Sequence, residues 1–140
     1  MFNVFILFCI PFALIWFVLF VWQWKKNPQN FYPNGTPLIF GHRGSPTEIT
    51  ENTLSSFERA IDQGVDALEF DVRLTKDKKI VIFHDSDLQR LAKVNKKIQD
   101  LRYEQIQKII LEQNQTVPLL DDFIPLLNKI KTVNIEIKSD

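Results

Sequence analysis

Four polar side chains lie within or directly after apolar runs, where a buried strand would otherwise be expected. Glu69 and Asp71 are separated by one residue within the run 67–74. His42 and His84, the two histidines of the chain, each follow an apolar run. Carboxylates bind hard divalent cations, and histidine transfers protons near neutral pH. These residue types therefore indicate metal-assisted acid–base chemistry.

The spacing of Glu69 and Asp71 predicts a metal site. Residues two apart in a strand point to the same face, so both carboxylates could bind one divalent cation. Without a cation they would repel each other, and their burial would be costly. Glu136 and Lys138 repeat this spacing later in the chain, where Glu136 could supply a third ligand and Lys138 a positive charge for an anion or a salt bridge. The alternative for either pair is a strand with one solvated face.

Arg43 follows His42 directly and adds a group that can bind phosphate or carboxylate oxygens through its planar fork. The strand ends together supply two histidines, three carboxylates, an arginine and a lysine, a set that suits metal-assisted attack on a phosphodiester. A single histidine at a strand end is more often structural. The prediction therefore depends on the strand ends meeting, as they do at the mouth of a barrel of parallel strands.

Apolar runs alternate with helical patterns through the second part of the chain. This alternation predicts an α/β fold with a largely parallel sheet. We predict strands over 37–44, 67–74, 79–85 and 132–138, and helices over 52–64, 101–112 and 118–131.

Two of these helices have predicted starting points. Asn52 suits the N-cap of the first helix, and Gly64 can end it. Pro125 is tolerated in a helix only within the first turn, so the last helix should begin near Asp122.

Only residues 75–79 separate the second strand from the third. A parallel crossover needs a dozen residues or more, so these strands should form an antiparallel hairpin. Folding the hairpin about residues 77–78 would place Asp71 opposite His84, and would bring the histidine back beside the carboxylates.

The N-terminal part of the chain has a different composition. Residues 4–22 are 19 consecutive apolar residues, about the length of a membrane-spanning helix. We therefore expect a single-pass membrane anchor over residues 1–24, followed by a Pro-rich linker over 25–37. Lys25 and Lys26 after the span favour a cytoplasmic location for the domain. Lysine and arginine together number 17, as do aspartate and glutamate, so nothing indicates a nucleic-acid partner.

The sequence between Gly41 and Asp85 resembles the glycerophosphodiester phosphodiesterase family in its motifs HRG, ENT, ExDV, TKD and HD, and a later ExK strand completes the pattern. The resemblance implies a TIM-type barrel and hydrolysis of a glycerophosphodiester to glycerol 3-phosphate and an alcohol, in lipid metabolism. It implies His42 and His84 as the acid/base pair, Glu69, Asp71 and Glu136 as ligands of Ca²⁺ or Mg²⁺, Arg43 and Lys138 as phosphate contacts, and Glu51 as a supporting residue.

The family pattern continues well beyond the part matched by residues 38–140. We therefore expect the N-terminal half of a barrel, either as a fragment or as a natural half-barrel that pairs with another copy. Such a half should expose the edge of its last strand. The alternative function is that of a catalytically inactive, membrane-anchored binding protein or remnant. The substrate could be a soluble glycerophosphodiester or a lysophospholipid, and the oligomeric state stays open.

Overall fold

The computed structural model of the protein describes residues 2–23 and 37–139. The first of these segments is a single helix, α1 (Phe2–Gln23), whose described side chains, at residues 10–20, are exposed. Over the residues that the structure describes, no helix meets the length and hydropathy expected of a membrane span. The predicted anchor at residues 4–22 is therefore not supported. The predicted linker, except for Pro37, lies outside the described residues.

The chain from Pro37 onward forms a compact unit of its own, with mixed α and β structure. Its strands are β1 (Phe40–His42), β2 (Ala67–Leu74), β3 (Ile80–Ile82), β4 (Asp87–Leu88), β5 (Val94–Lys97) and β6 (Thr132–Ile137). Its α-helices are α2 (Leu54–Asp62), α3 (Gln89–Ala92), α4 (Tyr103–Ile106) and α5 (Leu120–Phe123), and 3₁₀ turns cover Ile98–Asp100, Glu112–Asn114 and Ile124–Asn128. The predicted α/β class is confirmed.

Strand β2 is the centre of the main sheet. Along one edge it pairs with β1, which is parallel to it, and further along with β3, which is antiparallel. Along its other edge it pairs with β6 in parallel. The predicted hairpin between β2 and β3 is thus confirmed, and the remaining pairs in this sheet are parallel. Among the described residues, no strand pairs with the outer edge of β6, where Ile137 is 82% exposed.

Helix α2 packs on the sheet through an apolar stripe with helical spacing. Phe57 and Ala60 are buried, and Leu54 and Ile61 pack against the same cluster. The Phe57 ring lies 5.5 Å from that of Phe70 on β2, measured between centroids. Full burial of such a side chain contributes about 2 kcal/mol to folding, so this stripe fixes the helix, and the loop before it, on the sheet.

The predicted helix over 101–112 is wrong over most of its length, because only Tyr103–Ile106 is α-helical. Ile110 forms an isolated antiparallel bridge with Thr116 instead. Between them, Gln113 and Asn114 have left-handed backbone angles, with φ of 54° and 59°. A chain reversal of this kind cannot continue a right-handed helix.

The predicted helix over 118–131 is also shorter than expected. It begins at Leu120 rather than near Asp122, and its α-helical part ends at Phe123. A 3₁₀ turn then carries the chain over Ile124–Asn128, with Pro125 in its first turn. The proline lacks an N–H group and therefore cannot continue the α-helical hydrogen-bond ladder.

Candidate active site

Three carboxylates from two neighbouring strands meet on one face of the sheet. The pairing of β2 with β6 places Asp71 directly beside Glu136, and Glu69 lies two residues before Asp71. Each of the three offers a ligand oxygen, and these oxygens lie within 4.8 Å of one another. Asp71 and Glu69 are buried, whereas Glu136 is exposed. The structure thus brings together all three residues for which the sequence predicted a metal site.

Asp71 is fully buried and lies among positive and polar groups. Asn52 donates a hydrogen bond to its Oδ2 atom at 2.9 Å, and Arg43 Nε lies 3.3 Å from the same atom. Lys138 Nζ lies 3.1 Å from Oδ1. Burial alone would raise the pKa of Asp71, but these three neighbours lower it below its ordinary value. Asp71 is therefore a carboxylate at neutral pH.

The donor set fits a hard divalent cation. All three side chains offer oxygen, the element that Ca²⁺ and Mg²⁺ prefer. The buried Asp71 Oδ1 atom accepts no hydrogen bond of good geometry, although Lys138 is close to it. A buried polar atom without a hydrogen bond calls for an explanation, such as an unseen ion. The Asp71 Oδ1 atom, with the carboxylates of Glu69 and Glu136 beside it, is suited to coordinate a cation.

Arg43 reaches the carboxylates through a tight turn after β1. Its own φ is 57°, and that of Gly44 is 89°. A Cβ atom on Gly44 would lie about 2.4 Å from the Ser56 hydroxyl oxygen, so only glycine fits against helix α2 here. In this turn Arg43 NH1 donates to Glu51 Oε1 at 3.0 Å, so Arg43 contacts both Glu51 and Asp71.

The residues around Asn52 correct one prediction and add one site residue. Thr53, not Asn52, is the N-cap of α2, and its hydroxyl accepts a hydrogen bond from Ser56 N at 3.3 Å. Asn52 has a left-handed backbone with φ of 57°, and its side chain contacts Asp71 instead. Asparagine tolerates this conformation better than most residues. The residue type at position 52 was therefore the one feature of the sequence that could have indicated a left-handed backbone here.

His84 lies one residue beyond its predicted register. Val72 pairs with Ile82, and Phe83 N donates to the Asp71 carbonyl oxygen at 2.9 Å, so Phe83 rather than His84 is opposite Asp71. The hairpin therefore folds about Asp77.

The carbonyl oxygen of His84 accepts a hydrogen bond from Arg73 Nε at 2.9 Å, which holds His84 just past the end of β3.

The two histidines have different surroundings. His42 is 67% exposed, and its Nε2 atom lies 3.6 Å from Glu69 Oε2. His84 Nδ1 lies 2.8 Å from Asp85 Oδ1. Burial raises the pKa of Asp85, but Arg90 and His84 together lower it below its ordinary value. An ionised carboxylate can only accept, so His84 donates through Nδ1–H and keeps Nε2 as the nitrogen that can accept a proton.

An open cavity of about 580 Å³ lies beside His84 and is lined by charged groups of both signs. Its lining includes Arg73, His84, Asp85, Asp87, Arg90 and Lys138. Arg90 was not predicted as a site residue, because it belongs to none of the strand-end patterns that singled out the others.

The sequence profile of the glycerophosphoryl diester phosphodiesterase family matches residues 42–140 of this chain. The chain belongs to this family. The glycerophosphodiester phosphodiesterase of Bacillus altitudinis is 34% identical to it over 110 residues, which are 72% of this chain and 45% of that protein. The human lysophospholipase D GDPD1 is 34% identical over 109 residues, covering 69% of this chain and 35% of that protein.

Solved structures of the family have the same fold over this region. The phosphodiesterase of Oleispira antarctica, in complex with the product sn-glycerol-3-phosphate, superposes with a TM-score of 0.68 at 30% identity. The match covers 75% of this chain and 46% of that one. The chain therefore spans about half the length of the relatives it matches, and agrees with a phosphodiesterase fold of the TIM-barrel type over that half.

Proposed function

We propose that this chain carries the metal-binding, phosphate-binding and proton-transferring residues of a glycerophosphodiester phosphodiesterase. The reaction is hydrolysis of a glycerophosphodiester to glycerol 3-phosphate and an alcohol. The observation that carries the proposal is the convergence of Glu69, Asp71 and Glu136 on one sheet face, with Arg43 and Lys138 beside them. Bound cations and cationic side chains both assist hydrolysis of a phosphodiester, because they stabilise the negative charge that develops in the transition state.

The three carboxylates would hold Ca²⁺ or Mg²⁺. When bound, a divalent cation polarises a phosphoryl oxygen and offsets the charge that develops during the reaction. The proposal leaves both ions possible, because both take oxygen ligands and differ in coordination number and rigidity.

Arg43 and Lys138 would bind and orient the phosphodiester. Arg43 presents a planar fork, while Lys138 presents a point charge. A hydrogen bond from Lys138 to Glu136 is the main cause of a raised Lys138 pKa, so this side chain keeps its proton throughout the neutral range. Both cations would keep the reacting phosphate next to the carboxylates despite its own negative charge.

His42 and His84 would transfer the two protons that hydrolysis requires. A water oxygen attacks phosphorus and loses a proton, and the bond from phosphorus to the alcohol oxygen breaks as that oxygen gains one. One histidine accepts the first proton and the other donates the second. His84 suits either task, because Asp85 holds its Nδ1 atom and Nε2 is the nitrogen that exchanges a proton.

Two substrate classes are compatible with the family. The Oleispira antarctica enzyme is described with sn-glycerol-3-phosphate as its product, and the human relative is named a lysophospholipase D. Both substrate classes share the phosphodiester, which the groups described above would bind. The residues that line the cavity beside His84 are all of charged or polar types, which supports a polar alcohol at this side of the phosphate.

We further infer a membrane location for the domain, on the basis of the sequence alone. The support is the run of 19 apolar residues at 4–22 and the two lysines that follow it. The expected result is that the chain stays in the membrane fraction after washing with alkaline carbonate. Protease added to intact cells should then leave the domain uncut, and its cleavage would reverse the proposed orientation.

Hydrolysis by the full 140-residue chain tests the proposed function. Glycerophosphocholine and a lysophosphatidylcholine would be compared as substrates, with Ca²⁺, with Mg²⁺ and with a chelator, and glycerol 3-phosphate or lysophosphatidic acid would be measured. We expect metal-dependent release of one of these products. Binding of the cation without any product would instead indicate a binding protein, the alternative that the sequence left open.

A further inference from the structure

Arg90 donates hydrogen bonds to two carboxylates, those of Glu51 and Asp85. Its NH2 and NH1 atoms donate to Glu51 Oε1 and Oε2 at 2.6 and 3.2 Å. Its Nε atom donates to Asp85 Oδ2 at 2.7 Å. Three of the donors on one rigid guanidinium are thus used to fix two side chains at once. Hydrogen bonds between ionised partners are about twice as strong as neutral ones.

Each of these carboxylates in turn holds a residue of the candidate active site. Glu51 Oε1 also accepts from Arg43 NH1 at 3.0 Å. Asp85 uses its other oxygen, Oδ1, to contact His84 Nδ1 at 2.8 Å. A continuous chain of polar side-chain contacts therefore runs from His84 through Asp85, Arg90 and Glu51 to Arg43.

The backbone around Arg90 is held firmly. Arg90 lies in the single turn of α3, between Leu88 and Leu91, which are both buried in the apolar cluster below. The turn ends at Lys93, whose φ is 59° and whose Nζ atom donates to the Arg90 carbonyl oxygen at 2.8 Å. Because its backbone is anchored on both sides, Arg90 can serve as a fixed point for the two carboxylates.

Charge balance gives a second reason for an arginine here. Hydrogen bonds and charge from Arg90 and Arg43 lower the pKa of Glu51, although burial acts in the opposite direction. Glu51 and Asp85 are therefore both ionised at neutral pH. Without Arg90, Asp85 and Glu51 would lose the guanidinium that they share, and their negative charges would be less compensated near the region that would bind an anionic phosphodiester.

We propose that Arg90 is a positioning residue, which holds Asp85 against His84 and Glu51 against Arg43. It thereby keeps His84 in the tautomer with the proton on Nδ1, and keeps the Arg43 fork in place. The consequence for turnover rests on the proposed function, whereas the consequence for the His84 tautomer does not. Lysine cannot replace Arg90 in this role, because a single ammonium group lacks the planar fork that reaches both carboxylates.

The tautomer can be measured directly from the imidazole ¹⁵N signals of the labelled full chain, at a pH where imidazole is neutral. The chain has only two histidines, so a His84→Ala spectrum assigns both, and His42 serves as an internal reference. Arg90→Met should lower the ratio of the Nδ1–H to the Nε2–H tautomer of His84 by about tenfold, the effect of losing a charge-assisted hydrogen bond. Arg90→Lys, which keeps the charge and the fold, should lower it by a similar factor.

Arg59→Met is the matched control. Arg59 donates to Glu48 in an ion pair whose two side chains are 43% and 45% exposed and which shares no residue with the chain from His84 to Arg43. This variant should leave the His84 signals unchanged. Unchanged His84 signals in a folded Arg90→Lys or Arg90→Met protein would overturn the proposal. If Arg90→Met does not fold, Arg90→Lys alone decides.

Activity separates this inference from the proposed function. If the parent chain hydrolyses no diester but the His84 tautomer still responds to Arg90→Lys, the positioning role stands and the proposed function fails. If the parent is active, Arg90→Lys should lower kcat more than it raises KM, because a proton-transferring group rather than a uniform binding contact is disturbed. An active Arg90→Lys protein with parental kcat would refute the consequence of this positioning for turnover, and parental kcat together with an unchanged His84 tautomer would refute the positioning role itself.

Discussion

Asn52 and Asp71 exchange two hydrogen bonds across the interior of the domain. The Asn52 side-chain amide donates to Asp71 Oδ2 at 2.9 Å, and its Oδ1 atom accepts from the Asp71 backbone N at 3.4 Å. Asn52 is 1% exposed. The loop before α2 is thus attached to the central strand at the residue that lies at the centre of the carboxylate cluster.

Two substitutions of Asn52 separate the contribution of its side-chain amide to folding stability from that of its left-handed backbone. Asn52→Gly keeps the left-handed backbone but removes the amide, and should lower the free energy of unfolding by about 1–3 kcal/mol, the cost of a lost buried hydrogen bond. Asn52→Ala should cost about 1 kcal/mol more, because alanine disfavours a positive φ. Urea denaturation would measure both. Equal stability of the two variants would contradict the backbone part of this explanation.

Asp71→Asn should weaken binding of Ca²⁺ or Mg²⁺ by more than about tenfold. Replacing a residue that only hydrogen-bonds to a metal ligand already lowers the metal affinity by about this factor. Calorimetric titration of the full chain would measure the affinity. Asp121→Asn removes one exposed carboxylate that does not belong to the cluster and serves as the control. Equal cation affinity in the Asp71 variant and the parent would argue against the metal role.

His42→Gln and His84→Gln should each lower turnover of a glycerophosphodiester by about 100-fold, the usual size of a general acid or base effect. Glutamine keeps a polar side chain of similar length but cannot transfer a proton at neutral pH. Steady-state kinetics would measure kcat, and the parent should give a bell-shaped pH profile. A loss smaller than about tenfold for either variant would assign that histidine a structural role.

Folding stability should fall as the solution becomes acidic. The pKa values of Glu51 and Asp85 are lowered in the folded state by Arg90 and its neighbours, so the unfolded chain binds more protons than the folded one. Their contribution is present above the unfolded pKa values of about 4.3 and 3.9, and is lost as the pH falls through and below them. Thermal melts at a series of pH values would measure this.

Glu51→Gln is the variant that tests the origin of the acid sensitivity. It removes one of the carboxylates whose pKa is lowered in the folded state, so the decline in stability below about pH 4.3 should become shallower. Glu104→Gln removes an exposed carboxylate that is paired with Lys108 and should leave the decline as it is. The same slope in both variants would show that Glu51 does not contribute.

The outer edge of β6 should promote self-association of the segment 27–140. Ile137 is 82% exposed there, and an open apolar strand edge is a template for pairing with another chain. Ile137→Lys should therefore reduce association in sedimentation velocity. Ile124→Lys changes another exposed isoleucine, outside the sheet, and should have less effect. A monodisperse parent segment would contradict the prediction.

The central strand and its polar face could be predicted from the sequence for a physical reason. Alternation in a strand has a period of two, so Glu69 and Asp71 had to share a face. The short connection at 75–79 left only an antiparallel hairpin. The register was wrong by one residue because it depends on the turn itself, where Lys78 has a φ of 62° and Thr75 bonds both to Asp77 and to Lys79.

Other features depend on contacts between residues that are distant in sequence. Asn52 and Thr53 are both good N-cap residues, and only the Asp71 carboxylate, which attracts the Asn52 amide, decides between them. The helix predicted over 101–112 had a suitable apolar pattern, but the loop after it contacts the loop before α2, where Gln113 Oε1 accepts from Thr50 N at 2.6 Å. A contact of this kind does not alter the spacing of apolar residues, so the apolar pattern cannot predict it.

The parallel pairing of β2 with β6 also has a consequence for the order of folding. Asp71 and Glu136 are neighbours in space but come from distant parts of the chain. Such contacts form slowly, because the chain loses the entropy of closing a long loop before the contacts stabilise it. During synthesis, Glu69 and Asp71 leave the ribosome well before Glu136 does. The proposed cation site can be complete only once β6 has docked, so a bound divalent ion would report that β6 is in place.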